Sequence, residues 1–360
     1  MRVMVVAEQL RRAVPGGVGT YAHGLLTGLA ALHASDITVH ASRAPGRPDP
    51  LEVYGFPVQT SPLPARGLTR AWDVGLVHAP ASYDVAHSVS LAFPSPRRSR
   101  GQGPTFPRLT VMVHDLAWRW VADTFPPRAR RWHEASLRRA LDNSAALVTP
   151  SEATASALRH EGAERVEVIE EGCDHLPPPD REAAERLLAG AGVTGPYLLS
   201  VGTLEPRKNL PRLMEAFSRA RDALPEAWPL VVVGPRGWGP QLRPEAGVVP
   251  VGTVDAAVLA ALYSGARCVA YVPLLEGFGL PAVEAMAHGA PVVASPMPST
   301  GGAAVEVDPF DVGSIAAGLV AVATDEQLRE QVVTAGRERA GALTWESAAR
   351  RHLELWRSLC

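Results

Sequence analysis

The feature that most constrains the fold is a regular alternation of short apolar runs with longer helical patterns. The short runs are rich in β-branched residues and mostly apolar, which is typical of strands buried on both faces of a parallel sheet. They form two series, at residues 3–7, 37–41, 84–88, 109–114 and 145–149, and then at 197–201, 230–234, 248–251, 268–272 and 291–294. Helical patterns occupy 18–32, 128–141, 151–159, 210–223, 255–264 and 281–288. The alternation predicts the α/β class, with two doubly wound parallel-sheet domains.

A proline run separates the two series of predicted strands. The chain of 360 residues is long enough for two domains of ordinary size, and three consecutive prolines occupy residues 177–179. We therefore predict an N-terminal domain over 1–176 and a C-terminal domain over 177–344, followed by one more amphipathic helix over 345–360. Two such domains would leave a cleft between them, with ligands at the carboxyl ends of the strands.

Composition excludes several classes of protein. Hydrophobic residues make up 46% and charged residues 20% of the chain, which excludes a disordered or fibrous protein. The formal net charge of −2 argues against bulk binding to nucleic acid. No apolar run approaches the roughly 18 residues of a membrane-spanning helix, and the short apolar N-terminus predicts a strand rather than a signal peptide. The widely spaced Cys173, Cys268 and Cys360 indicate neither a disulfide framework nor a zinc site, and they fit a reducing cytoplasm.

The most informative segment runs from Glu276 to Glu284 with the sequence EGFGLPAVE. It follows a predicted strand and enters a predicted helix, whose free N–H groups and positive dipole end favour phosphate. Its glycines allow the backbone to approach a ligand, and Glu284, expected in the first helical turn, can accept hydrogen bonds from a vicinal diol such as ribose. Glu276 precedes the turn and would lie nearer to the group that is attached to the phosphates. The alternative is a glycine loop with a helix-capping glutamate.

A second segment, residues 201–210 with the sequence VGTLEPRKNL, also joins a strand to a helix. Arg207 and Lys208 bring two positive charges to a position that already favours anions, and charge-assisted hydrogen bonds suit a diphosphate. Lys208 is the only lysine among the 35 basic residues. Codon bias in a GC-rich genome explains the missing lysines but not the one that remains. The alternative is a solvated basic helix start, which is a poor position for cations against the helix dipole.

Other features of the first half carry weaker signals. A glycine-rich turn opens the first helix, and the backbone of Gly17 could approach a phosphate or sugar, although a flexible turn is the alternative. His114 ends a predicted strand and could hydrogen-bond a substrate hydroxyl or move a proton, unless it is a buried structural histidine. His87 repeats that pattern less convincingly, and Ser151 can serve simply as a helix cap.

Basic residues crowd one stretch of the N-terminal domain. Ten arginines lie from Arg97 to Arg139 against three acidic residues, with three tryptophans interleaved. Such a patch could contact an anionic membrane surface or a lipid phosphate. The alternative is a solvated helix face in an arginine-rich protein.

Together these motifs resemble the retaining glycosyltransferases of the GT-B fold, and specifically glycosyltransferase family 4. The resemblance spans essentially the whole chain. It rests most on the two glutamates that bracket GFGLP and on residues 202–209, while the glycine loop, His114 and residues 230–239 support it in order and position. It implies two Rossmann-like domains facing across a cleft. The first would serve the acceptor, the second would bind a nucleotide-sugar, and the helix over 345–360 would return to the first domain.

The resemblance implies a role for each motif residue. The catalytic residues would be His114, Glu276, Arg207 and Lys208, with the two cations on the diphosphate, Glu276 at the sugar hydroxyls and His114 reaching the sugar from the N-terminal domain. Glu284 would bind the ribose, Val254 would lie by the base, and the loop before the helix would add backbone N–H groups. The full donor-binding set is Gly17, Gly202, Arg207, Lys208, Val254, Glu276, Phe278, Gly279, Leu280 and Glu284.

The implied reaction retains the anomeric configuration and needs neither a metal nor a cofactor, since Arg207 and Lys208 supply the positive charge. The sequence also contains no Asp-x-Asp pair for a metal-bound nucleotide. We expect GDP-mannose as the donor and a glycan or a polyprenyl- or other lipid-linked acceptor. We expect a cytoplasmic protein, with peripheral contact at the inner face of the membrane through the Arg97–Arg139 stretch.

The chain departs from the family pattern after Ser295 and Pro296. Family members usually carry a longer segment with an acidic residue, whereas residues 297–304 are short and uncharged here. This departure leaves a second function open, that of a non-catalytic nucleotide-sugar-binding partner of an active transferase. A third, a nicotinamide-dependent oxidoreductase, is disfavoured because the glycines lack the dinucleotide-binding spacing.

Overall fold

The computed structural model of the chain describes residues 1–44, 46, 48–95, 106–238 and 245–360. These residues form two compact units, Met1–Gly172 with Trp345–Cys360 (unit 1) and Cys173–Thr344 (unit 2). Each unit contains one parallel sheet flanked by helices, so the predicted α/β class with two parallel-sheet domains is confirmed. Unit 2 begins at Cys173, whose N–H donates to the Leu343 carbonyl oxygen of the same unit at 3.0 Å.

Thirteen strands and twelve helices occur in the described part of the chain. The strands are β1 (Val3–Val6), β2 (Ile37–Ala41), β3 (Val58–Thr60), β4 (Val85–Ser88), β5 (Arg108–Met112), β6 (Ala146–Thr149), β7 (Val166–Val168), β8 (Leu198–Val201), β9 (Leu230–Val233), β10 (Val248–Gly252), β11 (Cys268–Tyr271), β12 (Val292–Ala294) and β13 (Val305–Glu306). The helices are α1 (Gly16–Ala31), α2 (Ala65–Asp73), α3 (Ala117–Trp120), α4 (Pro127–Asn143), α5 (Glu152–His160), α6 (Arg181–Gly190), α7 (Leu210–Ala220), α8 (Ala256–Gly265), α9 (Leu280–Ala287), α10 (Val312–Thr324), α11 (Glu326–Gly341) and α12 (Trp345–Ser358).

The sheet of unit 1 has seven strands in the order β3-β2-β1-β4-β5-β6-β7. β1 pairs with β2 on one side and with β4 on the other, so that Val3 lies opposite both Ile37 and Val85. The strand order reverses direction at this point, and ligands of open α/β sheets bind at the carboxyl ends of strands beside such a switch point. The glycine turn that opens α1 therefore lies on the stretch of chain that leaves the centre of this sheet.

The last helix of the chain packs against the first one within unit 1. Two glycines of α1 permit the close approach. A Cβ atom on Gly24 would lie 2.0 Å from Trp345 Cε2, and one on Gly28 would lie 2.2 Å from the Trp345 carbonyl oxygen. The Tyr21 hydroxyl oxygen lies 2.9 Å from His352 Nε2, and both residues are buried. α12 thus contributes side chains to the interior of unit 1.

The sheet of unit 2 has six strands in the order β10-β9-β8-β11-β12-β13. Leu198 of β8 lies opposite Leu230 of β9 and Cys268 of β11, so the strand order reverses between β8 and β11. Phe217 of α7 and Ile315 of α10 are fully buried in the same apolar cluster as these strands. This packing holds the loops that follow β8 and β11 next to each other, at the carboxyl ends of the two central strands.

Several strands and helices of the structure were not predicted from the sequence. The strands β3, β7 and β13 lie at sheet edges, and their residues are half-buried or exposed, so they lack the continuous apolar run that identified the central strands. The helices α2, α3, α6, α10 and α11 were also not predicted. In α10, with the sequence VGSIAAGLVAVAT, apolar residues occur on every face, so no helical period stands out.

Candidate functional site

The two loops that leave the switch point of unit 2 lie side by side. The Leu274 N–H, after β11, donates to the carbonyl oxygen of Arg207, after β8, at 2.9 Å. The Asn209 amide donates to the carbonyl oxygens of Val272 at 3.0 Å and Pro309 at 2.8 Å. Asn209 adopts the left-handed conformation, with φ of 61°, which asparagine tolerates better than most residues. These bonds hold the two predicted motif segments together.

A close approach of two backbones shapes the first of these loops. Gly234, at the end of β9, has φ of 145°, and a Cβ atom there would lie 2.0 Å from the Gly202 carbonyl oxygen. A Cβ atom on Gly202 would lie 3.6 Å from Lys208 Cδ. Gly202 therefore lies against the aliphatic part of the Lys208 side chain.

Arg207, Lys208 and Glu276 meet in one group of ion pairs. Arg207 Nη1 donates to Glu276 Oε1 at 2.7 Å, and Lys208 Nζ donates to the same oxygen. The Glu276 side chain is only 10% exposed. Burial alone would raise the pKa of Glu276, but the charges and hydrogen bonds of Arg207 and Lys208 lower it to about 2. The glutamate is therefore ionised at neutral pH.

Two more side chains complete this group. Glu205 Oε1 lies 3.0 Å from Arg207 Nη2, and the Tyr271 hydroxyl accepts from Lys208 Nζ at 2.8 Å. Burial raises the pKa of Glu205 in spite of the neighbouring cations. We call Glu205, Arg207, Lys208, Tyr271 and Glu276 the ion-pair cluster. Its two cations face two carboxylates, so an incoming anion would compete with Glu276 for hydrogen bonds that already exist.

The N-terminus of α9 follows directly on this cluster. Gly279 has φ of 97°, and a Cβ atom there would lie 2.3 Å from Met297 Sδ, so both conformation and space require glycine. Leu280 begins the helix, while Phe278 and Leu280 have buried side chains, leaving their backbones as the groups available to a ligand. A helix N-terminus presents N–H groups without intrahelical partners, which suits a phosphate.

Glu284 lies in the second turn of α9, and the prediction of a first-turn position was wrong. Its side chain is 8% exposed, with Oε2 accepting from the Tyr263 hydroxyl at 2.9 Å and Oε1 lying 3.2 Å from His175 Nε2. Burial alone would raise the pKa of Glu284, but the hydrogen bonds from His175 and Tyr263 lower it. Two carboxylate oxygens offer about four acceptor positions, so capacity for a diol remains. His175 and Tyr263 were missed because each is an isolated residue on a separate segment.

A pocket of about 490 Å³ opens beside Glu276. This volume lies within the range of small-molecule sites. The lining residues follow β11, β12 and β13 and are Pro273, Leu274, Leu275, Glu276, Ser295, Pro296, Met297, Glu306, Val307, Asp308, Pro309 and Phe310. Val254, the residue predicted to lie by the base, is half-buried in the loop after β10 and does not line this pocket.

In unit 1, His114 lies two residues beyond the end of β5 at Met112. Its Nδ1 is 3.2 Å from Glu171 Oε1, and its Nε2 is 3.0 Å from the Val89 carbonyl oxygen. Burial alone would lower the pKa of His114, but the hydrogen bond and charge of Glu171 raise it. Gly17 lies in the first turn of α1, where a Cβ atom would meet no atom within 4 Å.

Two weaker candidates are structural. His87 is fully buried, with its Nδ1 2.9 Å from Thr110 Oγ1 and its Nε2 3.3 Å from the Tyr21 hydroxyl, and burial lowers its pKa well below the usual value. Ser151 caps α5, because its side chain accepts from the Thr154 N–H at 3.3 Å. The capping interpretation of Ser151 is therefore confirmed.

The arginine-rich stretch is only partly described, because Arg97, Arg98 and Arg100, like Gly239 of the 230–239 segment, lie outside the described residues. Arg119 pairs with Glu134 at 2.6 Å and Arg139 with Asp73 at 2.7 Å. These pairs neutralise part of the positive charge that the sequence shows. No helix in the described ranges is long and apolar enough to cross a membrane.

Comparison with known proteins identifies the family. Residues 15–175 match the profile of Glycosyltransferase Family 4, and residues 189–339 match that of Glycosyl transferases group 1. A D-inositol 3-phosphate glycosyltransferase of Kribbella flavida is 30% identical over 326 residues, which cover 82% of this chain and 75% of that protein. The chain belongs to glycosyltransferase family 4. The family resemblance drawn from the sequence motifs is thereby confirmed.

This family-4 glycosyltransferase also has a mannosyltransferase relative and a clear structural neighbour. It is 29% identical to O-antigen chain mannosyltransferase B of Escherichia coli over 269 residues, 70% of this chain and 71% of that one. Anabaena HepE, solved in complex with UDP and glucose, matches 99% of this chain and 100% of its own with a TM-score of 0.74 at 18% identity. The likeness to HepE confirms the predicted GT-B fold.

Residues 297–304, where the sequence is expected to depart from the family pattern, contribute several buried residues to unit 2. Ser299 and Thr300 are fully buried, and the Ser299 carbonyl oxygen accepts from Arg339 Nε at 2.7 Å. Met297 lies both against Gly279 and in the wall of the pocket. The short segment therefore contacts the N-terminus of α9, next to the ion-pair cluster.

Proposed function

We propose that the chain is a retaining hexosyltransferase that moves a mannosyl group from GDP-mannose to a glycan or lipid-linked acceptor. The observation that carries this proposal is the ion-pair cluster, which places Arg207 and Lys208 at the switch point of unit 2 and beside the N-terminus of α9. Switch points and helix N-termini are two places where α/β proteins bind phosphate groups. A nucleotide-sugar contains a diphosphate and a ribose diol, for which the cations and Glu284 offer partners.

The diphosphate would take over the hydrogen bonds that Glu276 now accepts from Arg207 and Lys208. Both cations would then stabilise the negative charge that develops on the departing nucleoside diphosphate. Glu276, released from them, would turn to the sugar hydroxyls beside the pocket. Because the protein's own cations supply the positive charge, we propose a reaction without a metal or cofactor.

The proposed transfer proceeds on one face of the sugar. The acceptor hydroxyl oxygen bonds to the anomeric carbon while the bond from that carbon to the diphosphate oxygen breaks. The acceptor proton passes to the leaving phosphate, so the charges balance without a protein base. His114, with its raised pKa, is proposed to hydrogen-bond the donor sugar, and Gly17 to approach a phosphate or the acceptor.

The proposed donor sugar and acceptor are inferred mainly from the names of relatives. The Escherichia coli protein is named for mannosyl transfer to the O-antigen chain, which favours a mannosyl donor and a glycan acceptor. Trp120, 50% exposed within the arginine-rich stretch, supports a peripheral membrane contact that would bring the chain to a lipid-linked acceptor. Localisation in the cytoplasm belongs to the same proposal.

A second candidate is a nucleotide-sugar-binding subunit without transferase activity. The observation that favours it is the short 297–304 segment, whose buried residues contact the N-terminus of α9. Such a subunit would bind the donor and leave it intact.

The deciding experiment follows mannosyl transfer from GDP-mannose to a membrane lipid extract that carries polyprenyl-linked glycans. It compares wild type, Lys208→Ala and the control Arg219→Ala, which removes a 59%-exposed cation on α7, away from the ion-pair cluster. We expect an α-mannoside product with wild type and control, and a turnover at least ~10²-fold lower with Lys208→Ala. A β-mannoside product would contradict the proposal that the reaction retains the anomeric configuration. Transfer from another nucleotide-sugar but not from GDP-mannose would contradict the proposed donor. Binding of GDP-mannose without any product would favour the second candidate, the non-catalytic subunit.

A further inference from the structure

The buried Glu171 and the half-buried His114 form a pair in unit 1. The Glu171 side chain is 4% exposed and that of His114 is 21% exposed, with 3.2 Å between Glu171 Oε1 and His114 Nδ1. An ionised carboxylate withdrawn from water requires a charged or hydrogen-bonding partner. The structure supplies one in His114. Glu171 follows β7, so the pair joins the ends of two separate strands.

Both ring nitrogens of His114 face hydrogen-bond acceptors. Nδ1 faces the Glu171 carboxylate, and Nε2 lies 3.0 Å from the carbonyl oxygen of Val89. A neutral imidazole carries one N–H and one lone pair, so one of these contacts would set a lone pair against an oxygen. Opposite an ionised Glu171, only the imidazolium, with a proton on each nitrogen, satisfies both contacts.

We propose that Glu171 is a positioning residue that holds His114 in a fixed orientation as an imidazolium, so that the histidine acts as a hydrogen-bond donor and a cation rather than as a general base. While Glu171 retains Nδ1, the Nε2–H can leave the Val89 carbonyl oxygen for a substrate oxygen. The protonation state of His114 is argued from contacts within unit 1 alone. Its consequence for sugar transfer rests on the proposed function.

The groups around the ring decide its charge. Asp115 adds a second negative charge that favours the imidazolium. The Tyr21 ring packs edge-on against His114 with ring centroids 5.0 Å apart, and burial together with Glu171 raises the pKa of its hydroxyl well above the usual value. His87, on β4, has a pKa well below the usual value because of its burial and is neutral. Tyr21 and His87 are therefore uncharged at neutral pH, and Glu171 is the charged group in direct contact with the ring.

The first test is an NMR titration of the His114 ring in the donor-free protein. Wild type should titrate above the ordinary histidine value of about 6.5. Glu171→Gln keeps an acceptor for Nδ1 but removes the charge, and it should lower the titration midpoint by about one pH unit or more. Glu171→Asp should restore most of the difference. The control Glu170→Gln removes the same charge one residue away and should leave the midpoint unchanged.

A wild-type midpoint below the ordinary value would overturn the inference without recourse to any variant. Equal midpoints in Glu171→Gln and Glu170→Gln would overturn it as well. In the transfer assay, the loss of kcat/KM at high pH should begin at lower pH in Glu171→Gln, whereas a merely structural role would leave the pH of that loss unmoved. No donor is present in the titration, so its failure and the failure of the proposed function are distinguishable.

Discussion

The Lys208 ammonium group and the Glu276 carboxylate form a largely buried ion pair at the switch point of unit 2. The same carboxylate oxygen accepts from Arg207, so one acidic side chain contacts both cations. A diphosphate has more oxygens to offer and would compete for both. The Glu276 carboxylate therefore occupies the position on the two cations that the ligand's diphosphate would take.

Acid should weaken this arrangement in a defined pH window. The pKa of Glu276 is about 2 in the folded chain against 4.5 ordinarily, so its contribution to stability is complete above pH 4.5 and is lost as pH falls towards 2. Between pH 6 and pH 3 the free energy of unfolding of wild type should fall by about 2 kcal/mol more than that of Glu276→Gln. Denaturant titrations at both pH values measure this. An equal fall in the two proteins would contradict the ion-pair assignment, and the exposed Glu215→Gln should behave as wild type.

The buried position of Glu284 predicts coupling between this residue and the ribose hydroxyls. Glu284→Ala should weaken binding of GDP by about 10- to 100-fold, the effect of losing hydrogen bonds to a charged acceptor. Removing both ribose hydroxyls from the ligand should cost wild type a similar factor but cost Glu284→Ala little. Calorimetry on the four combinations gives the coupling. Additive effects would show that Glu284 does not contact the ribose.

Packing of α12 on α1 predicts a contrast between two glycines. Gly24→Ala would set a Cβ atom 2.0 Å from Trp345 Cε2, and it should destabilise unit 1 by about 1–3 kcal/mol. Gly190→Ala, on α6, meets no atom within 4 Å and should cause no loss, since alanine favours the helix. Thermal unfolding of both variants checks this, and a Gly24→Ala protein as stable as wild type would contradict the packing.

Metal removal should leave the reaction unchanged, because Arg207 and Lys208 supply the positive charge near the diphosphate. We expect equal turnover before and after treatment with EDTA, and no gain when Mg²⁺ is restored. A loss with EDTA that Mg²⁺ reverses would show that the two cations are insufficient.

Central strands and motif loops were predictable from the sequence because each has a strong local signal. β8 and β11 are mostly apolar, and the loops after them carry glycine, proline and charged residues at a strand-to-helix junction. Parallel pairing of β8 with β11 then brings Lys208 and Glu276 together, although they are 68 residues apart. The edge strands β3, β7 and β13 consist of half-buried or exposed residues and give no such signal.

The partners of the motif residues were not predictable. From the sequence, Lys208 and Glu276 are each expected to bind a ligand, whereas the structure shows that they bind one another. His175, Tyr263 and Tyr271 are single residues whose roles arise only from tertiary contacts. Tyr271 had a weak signal, as it ends the strand before the Glu276 loop. The first-turn placement of Glu284 was wrong because α9 begins at Leu280, so Glu284 falls one turn further on.

The most direct test of the central claim is calorimetric binding of GDP, UDP and ADP to wild type, Lys208→Ala and the control Arg219→Ala. We predict that GDP binds wild type and Arg219→Ala alike, and that Lys208→Ala binds it about 10- to 100-fold more weakly, as expected for the loss of one charged hydrogen-bond donor. Equal affinity in Lys208→Ala, or no binding of any diphosphate to wild type, would contradict the assignment of the ion-pair cluster as the donor diphosphate site.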